Sequence, residues 1–132
     1  MSYELSVENV LFKRIVIIGL GLIGASIALA AKKRKLCKEV IGLNRQSSTL
    51  MSAKETGVID RAIENLSEIS SDLNGNDLIL ICVPTLEFES VLSECRRLLR
   101  DCVTITDVCS VKGYTVETAK AVYGFEPFQY VP

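Results

Sequence analysis

Three glycines at the spacing G-x-G-x-x-G follow an apolar, β-branched run near the start of this chain. The run at 15–18 has the composition of a buried strand, and the small apolar residues after Gly24 are typical of a helix that lies close to a sheet. A strand that turns sharply into a helix is the first half of a βαβ unit. This feature therefore predicts an α/β fold with a mostly parallel sheet.

The spacing of the glycines also indicates what the turn could bind. We expect Gly19 to allow the tight turn, Gly21 to let backbone approach a diphosphate, and Gly24 to let the helix pack closely on the strand. The free N–H groups and the positive dipole at a helix N-terminus attract anions. The predicted dinucleotide site comprises Gly19, Leu20, Gly21, Leu22, Ile23 and Gly24. The alternative is a strand–turn–helix with a structural role only.

The rest of the chain alternates strand and helix patterns. Strands are predicted at 39–43, 77–83 and 103–107, and helices at 23–35, 48–56, 86–100 and from about 113 to 123. A serine should cap the second helix and Gly57 should stop it, while 58–71 should be irregular or partly helical, with one apolar face. The apolar residues 128–131 indicate a sixth strand. We predict a doubly wound, Rossmann-type α/β domain at 13–132, preceded by a lead-in at 1–12.

Ligands of open α/β sheets bind outside the carboxyl ends of the strands. The strand ending near residue 83 should place Val83, Pro84 and Thr85 beside the cofactor. Asp107 and Ser110, at and after the end of the next strand, are the polar candidates there. For Asp107, a structural role at the strand end is an equal alternative, and the alternative for Ser110 is a cap of the next helix.

Cofactor preference depends on the residue about 20 positions beyond the glycine turn, where a carboxylate would bind the ribose 2′-hydroxyl of NAD. This chain has Asn44 there, followed by Arg45. An uncharged amide would not repel a 2′-phosphate, an arginine offers a planar fork of donors to one, and Ser47 and Ser48 offer hydroxyls. We therefore favour NADP over NAD, with NAD binding through neutral contacts as the alternative.

Composition argues against several classes of partner. The net charge of -1 offers no electrostatic surface for nucleic acid or an anionic membrane. Five cysteines without a C-x-x-C pair, and no histidine, argue against a disulfide framework and a zinc site, and fit a reducing cytoplasm. No apolar run reaches the length of a membrane span. Any proton transfer in this chain would have to use a group other than histidine.

Several segments together resemble the prephenate/arogenate dehydrogenase family over 13–132. These segments are GLGLIGASIALA at the glycine turn, GVIDRA at 57–62, ICVP at 81–84, TDVCSVKG at 106–113 and FQYVP at the end. The resemblance implies oxidative decarboxylation of prephenate or arogenate, with hydride transfer to the nicotinamide. It also implies that Ser110 hydrogen-bonds near the substrate hydroxyl and a catalytic histidine.

In this family the histidine follows a segment like 130–132, and a helical second domain supplies a substrate-binding arginine and most of the homodimer contact. Neither lies within these 132 residues. The resemblance thus implies the cofactor half of a longer enzyme, inactive by itself. Cys109 stands where the family usually has glycine, and Asn44 where it usually has aspartate. The first departure could crowd the loop that carries Ser110.

Two other functions remain open from the sequence. The chain could belong to a different NAD(P)-dependent dehydrogenase with the same nucleotide domain, although the segment 110–113 argues against this. It could also be a non-enzymatic module that senses NAD(P) and signals through a partner.

Overall fold

The computed structural model describes residues 10–125, 127 and 129–132. The strands are β1 (Phe12–Ile18), β2 (Cys37–Leu43), β3 (Arg61–Ile63), β4 (Asp77–Ile81), β5 (Thr104–Asp107) and β6 (Tyr130–Val131). The helices are α1 (Leu22–Lys33), α2 (Ser47–Glu55), α3 (Thr85–Leu98) and α4 (Lys112–Tyr123), with a 3₁₀ helix at Leu66–Glu68.

The six strands form one parallel sheet in the order β3-β2-β1-β4-β5-β6. From β1, the strands β2 and β3 extend the sheet in one direction. The chain then crosses back to β4 beside β1, and β5 and β6 extend the sheet in the other direction. This confirms the predicted doubly wound topology. The reversal between β1 and β4 opens a crevice at the carboxyl ends of these strands, where such sheets bind ligands.

The strands are apolar on both faces because helices cover both sides of the sheet. On β1, Ile15 and Ile17 pack into the cluster beneath α1 and α2, while Val16 and Ile18 pack into the cluster beneath α3 and α4. The helix faces match this division. Ala28 and Ala31 let α1 lie close to the sheet, whereas α3 contributes the larger side chains Phe88, Leu92 and Cys95.

The segment 58–71 is irregular and partly helical as predicted, but it also includes a short strand that the sequence pattern did not indicate. It contains the short edge strand β3, which pairs with β2, and then the 3₁₀ helix. The 3₁₀ helix forms because Asn65 and Glu68 make a reciprocal capping box. The apolar residues predicted to share one face of the segment 58–71 are buried as expected: Ile59, Ile63, Leu66 and Ile69. A three-residue strand is too short for its period to be recognised in the sequence.

The predicted serine cap of α2 is wrong, because Gln46 holds the N-cap position and Ser47 is already helical. The lead-in at 1–12 overlaps β1 by one residue, and its residues 1–9 lie outside the described part of the chain, as does Phe128 of the last predicted strand. Among the described residues, no helix is long and apolar enough to cross a membrane.

Candidate functional site

A cleft of about 1180 Å³ lies at the carboxyl ends of β1, β2, β4 and β5. The glycine turn forms its floor, and the segments that follow β2, β4 and β5 form its walls. All six predicted residues of the turn line it, as do Asn44, Arg45, Val83, Pro84, Thr85 and Ser110. Of the residues predicted from the sequence to contact a cofactor, Asp107 is the one that does not line this cleft.

The glycine turn is held by contacts between backbone atoms. Gly19 has a φ of 101°, and a Cβ there would lie 2.4 Å from the carbonyl oxygen of Cys82. A Cβ on Gly24 would lie 2.0 Å from the carbonyl oxygen of Gly19. Both glycines are therefore required for β1, α1 and the end of β4 to approach one another.

Gly21 differs from the other two glycines because nothing lies within 4 Å of the position that its Cβ would occupy. It is the N-cap of α1, and no side chain caps this helix end. The first helical bond runs from the Ala25 N–H to the Gly21 carbonyl, so the preceding N–H groups are left without intrahelical partners. An open backbone surface at a helix N-terminus fits a diphosphate group.

Asn44 joins the glycine turn to the loop after β2. Its Oδ1 accepts a hydrogen bond from the Leu20 N–H at 2.9 Å, and its Nδ2 donates to the Gln46 carbonyl at 3.3 Å. The side chain therefore positions the turn from the adjacent strand end. Asn44 also forms part of the cleft wall, where we expected the ribose to bind.

Arg45 is largely exposed, with 83% of its side chain accessible, and its guanidinium pairs with the carboxylate of Glu87. Glu87 lies in the first turn of α3, on the opposite wall of the cleft. The ion pair thus joins the end of β2 to the start of α3 across the cleft.

The segment after β4 contributes the other wall. Pro84 is the N-cap of α3, and the hydroxyl of Thr85 lies 3.3 Å from the thiol of Cys109 (Oγ1 to Sγ). Burial raises the pKa of the neighbouring Cys82 thiol to about 11, and the nearby Asp107 carboxylate adds to this effect. Cys82 is therefore a neutral thiol near pH 7.

Asp107 organises the loop that carries Ser110. Its side chain is 1% exposed, and its Oδ1 accepts a hydrogen bond from the Tyr130 hydroxyl at 2.5 Å. Its Oδ2 accepts from the Cys109 N–H at 2.7 Å and from Lys112 Nζ at 2.9 Å. The carboxylate thus ties β6 and the start of α4 to the loop at 108–111. Ser110 lies exposed at the edge of the cleft and does not cap α4, whose N-cap is Val111.

Cys109 fits this loop without backbone strain. Among the described non-glycine residues, only Lys35 has a positive φ, so Cys109 adopts angles that suit any side chain. Its thiol lies near Thr85, and its N–H donates to Asp107. The cysteine therefore does not prevent the loop from presenting Ser110.

Sequence reasoning missed several residues that line the cleft: Gln46, Thr49, Glu64, Asn65, Glu87, Val91 and Glu94. Glu64 and Asn65 follow β3, a strand that the sequence pattern did not indicate. Glu87 could have been found, because the first turn of a helix that follows a central strand faces the ligand crevice. The two serines after Gln46 do not line the cleft.

A family model described as "Prephenate dehydrogenase, nucleotide-binding domain" matches residues 27–132. This match begins after the glycine turn and is therefore separate evidence from it. The prephenate dehydrogenase of Lactococcus lactis subsp. cremoris (strain MG1363) is 35% identical over 112 residues, which make up 84% of this chain and 30% of that protein. The match thus spans less than a third of the length of this curated relative.

Solved structures agree with this match. The structure of Synechocystis arogenate dehydrogenase is 34% identical, with a TM-score of 0.72, and the match covers 85% of this chain and 38% of that chain. The fold is also that of prephenate dehydrogenase from A. aeolicus in complex with hydroxyphenyl propionate and NAD+, with a TM-score of 0.78 at 20% identity, over 90% of this chain and 40% of that one. This chain belongs to the family of prephenate dehydrogenase nucleotide-binding domains.

Proposed function

We propose that residues 13–132 are the cofactor-binding domain of an enzyme that oxidatively decarboxylates prephenate or arogenate in tyrosine biosynthesis. The observation that carries the cofactor-binding part of this proposal is the open backbone surface at Gly21, at the N-terminus of an uncapped helix. Membership of the family supports the same reaction. The bound nicotinamide would supply the hydride acceptor.

Each part of the cleft has a role in this proposal. The turn at 19–24 binds the diphosphate of NAD(P) through backbone N–H groups. Asn44 and Arg45 lie beside the adenosine ribose, and the uncharged amide together with the guanidinium favours NADP. Val83, Pro84 and Thr85 contact the nicotinamide half of the cofactor.

Ser110 is the residue that we assign to the substrate side of the reaction. Its hydroxyl lies at the cleft edge, where it would hydrogen-bond near the hydroxyl group of the substrate. Asp107 does not reach the cofactor from its buried position and instead holds the loop that carries Ser110. Proton transfer by histidine would come from outside these 132 residues, since they contain none.

We further propose that a second, helical domain completes the substrate site and forms a homodimer. The test is an assay of reduced nicotinamide formation by the polypeptide that carries both domains, with prephenate or arogenate as substrate and NAD+ or NADP+ as cofactor. Ser110→Ala should lower kcat strongly and leave cofactor affinity nearly unchanged, because Ser110 lies at the substrate side. Absence of turnover with both substrates would refute the proposed reaction.

A further inference from the structure

The pairing of Arg45 with Glu87 has a consequence for cofactor choice. Arg45 is the only basic residue among those that line the cleft in the described part of the chain, whereas Glu64, Glu87 and Glu94 line it as carboxylates. A 2′-phosphate that binds Arg45 must therefore enter a wall that already carries negative charge. Of these three carboxylates, Glu87 contacts the Arg45 guanidinium directly.

Glu87 is placed by the fold and not by its neighbours in sequence. It lies 42 positions after Arg45, in the first turn of α3, where a carboxylate is favoured by the positive end of the helix dipole. Its side chain is 28% exposed, so it is less free to move into water than Arg45. Glu87 thus provides a positioned negative charge opposite the end of β2.

We infer that Glu87 is a selectivity residue for the cofactor: it weakens binding of the 2′-phosphate of NADP and thereby limits the preference for NADP over NAD that Asn44 and Arg45 provide. This inference rests on the proposed nucleotide site. Asn44 leaves the end of β2 without a carboxylate, and Glu87 supplies one from the opposite wall. A carboxylate accepts a hydrogen bond from a ribose hydroxyl, but it repels a phosphate and competes with it for the guanidinium.

A 2′-phosphate can partly displace Glu87 from the Arg45 guanidinium. An exposed ion pair is weak because water solvates both partners. Arg45 therefore remains available to a ligand, and Glu87 adjusts the relative affinity for the two cofactors instead of closing the cleft. Since the effect is electrostatic and near the surface, it should decrease as salt is added.

The experiment is calorimetric titration of NAD+ and NADP+ into the wild-type chain and four variants at low and high salt: Glu87→Gln, Glu89→Gln, Arg45→Ala and the double variant Glu87→Gln with Arg45→Ala. Glu87→Gln should tighten NADP+ binding by roughly fivefold to tenfold at low salt and change NAD+ binding by less than about threefold. The matched control is Glu89→Gln, which removes the same charge from an exposed position on α3 outside the cleft. This control should leave the ratio of the two affinities unchanged.

The double variant Glu87→Gln with Arg45→Ala separates the two contributions. If Glu87 acts partly by competing for Arg45, its removal should tighten NADP+ binding less in the Arg45→Ala background than in the wild type. Equal changes for both cofactors, or an equal effect of Glu89→Gln, would overturn the inference alone. Failure of the wild-type chain to bind either nucleotide would overturn the proposed site and this inference with it.

Discussion

The glycine turn and the loop that carries Ser110 lie on the same cleft but are held in different ways. Contacts between backbone atoms hold the turn, where Cβ atoms on Gly19 and Gly24 would meet carbonyl oxygens at 2.4 and 2.0 Å, and the Asn44 side chain adds one hydrogen bond. Polar side chains hold the loop, where one buried carboxylate accepts hydrogen bonds from Tyr130, Cys109 and Lys112. The backbone contacts of the turn allow almost no substitution at Gly19 or Gly24, whereas the loop can be loosened stepwise.

This difference makes the turn a fixed part of the cleft and the loop an adjustable part. Close packing of backbone on backbone has no side chain that can rotate away, so added atoms must displace strands or helices. A hydrogen-bonded side chain can lose one partner and keep the others. We therefore expect substitutions in the turn to act on the fold or on binding as a whole, and those around the loop to have graded effects.

The largest effect should come from Gly24→Ala. The new methyl group would overlap the Gly19 carbonyl oxygen, so α1 or β1 must move, and we expect a loss of at least about 3 kcal/mol in the free energy of unfolding. Urea denaturation followed by circular dichroism would measure it. A loss below about 1 kcal/mol would mean that the helix can shift without cost and that the turn is not held by its backbone.

Gly21→Val should instead leave the fold intact and abolish nucleotide binding. Its side chain meets no protein atom within 4 Å, so we expect a change of about 1 kcal/mol or less in stability, which reflects only the helix cap. The same side chain would occupy the place proposed for the diphosphate. Calorimetry should detect no binding of NAD+ or NADP+ to a protein that still unfolds cooperatively. Binding at wild-type affinity would contradict the proposed diphosphate position.

Asp107→Asn should loosen the second region without unfolding the protein. The amide carries no charge for Lys112 and cannot accept as many hydrogen bonds, so we expect a cost of about 1–3 kcal/mol. Hydrogen exchange at the amides of 108–111 should accelerate. The matched control is Glu117→Gln, which removes a carboxylate from an exposed ion pair with Lys120 and should cost less than about 0.5 kcal/mol. Similar costs for the two variants would argue against the buried carboxylate as the organiser of the loop.

The smallest effect is a dependence of stability on alkaline pH. Burial raises the pKa of Tyr123 to about 12, and it also raises that of Tyr130, to which the hydrogen bond to Asp107 contributes. Unfolded tyrosine ionises near pH 10, so the folded state favours the neutral form. This stabilisation is complete below about pH 10 and is lost as pH rises through the folded pKa values.

Urea midpoints measured from about pH 8 to about pH 11 would test this dependence. Tyr130→Phe should lower stability at neutral pH, because Asp107 Oδ1 loses its donor, and should also make the alkaline decrease less steep. A wild-type midpoint that does not fall above about pH 10 would contradict the assigned pKa directions.

Much of the fold could be predicted from the sequence because its signals are local. The run at 15–18 is apolar on both faces, the glycines follow at a fixed spacing, and α3 repeats its apolar residues at helical intervals. The strand β3 was missed because three residues next to a capping box carry no recognisable period. The start of α2 was misplaced because its N-cap, Gln46, makes no side-chain cap that a pattern could indicate.

The candidate site divides in the same way. Its floor, at 19–24, and the positions of Asn44, Arg45, the segment 83–85 and Ser110 follow from where strands end, so the sequence indicated them. The side chains that pair with residues of the site could not be predicted from where strands end. Glu87 and Arg45 are 42 positions apart, and Tyr130 and Asp107 are 23 apart, so only the order of the strands brings them together.

The sequence by itself determined the alternation of strands and helices, the glycine turn and the resemblance that the family match confirmed. The tertiary structure decided that Asp107 faces inward to hold a loop, and that a glutamate from α3 pairs with the arginine expected to select the cofactor. The physical reason is the distance along the chain over which each interaction acts. Backbone preference and side-chain period act over a few residues, whereas hydrogen bonds and ion pairs between distant residues depend on which strands become neighbours.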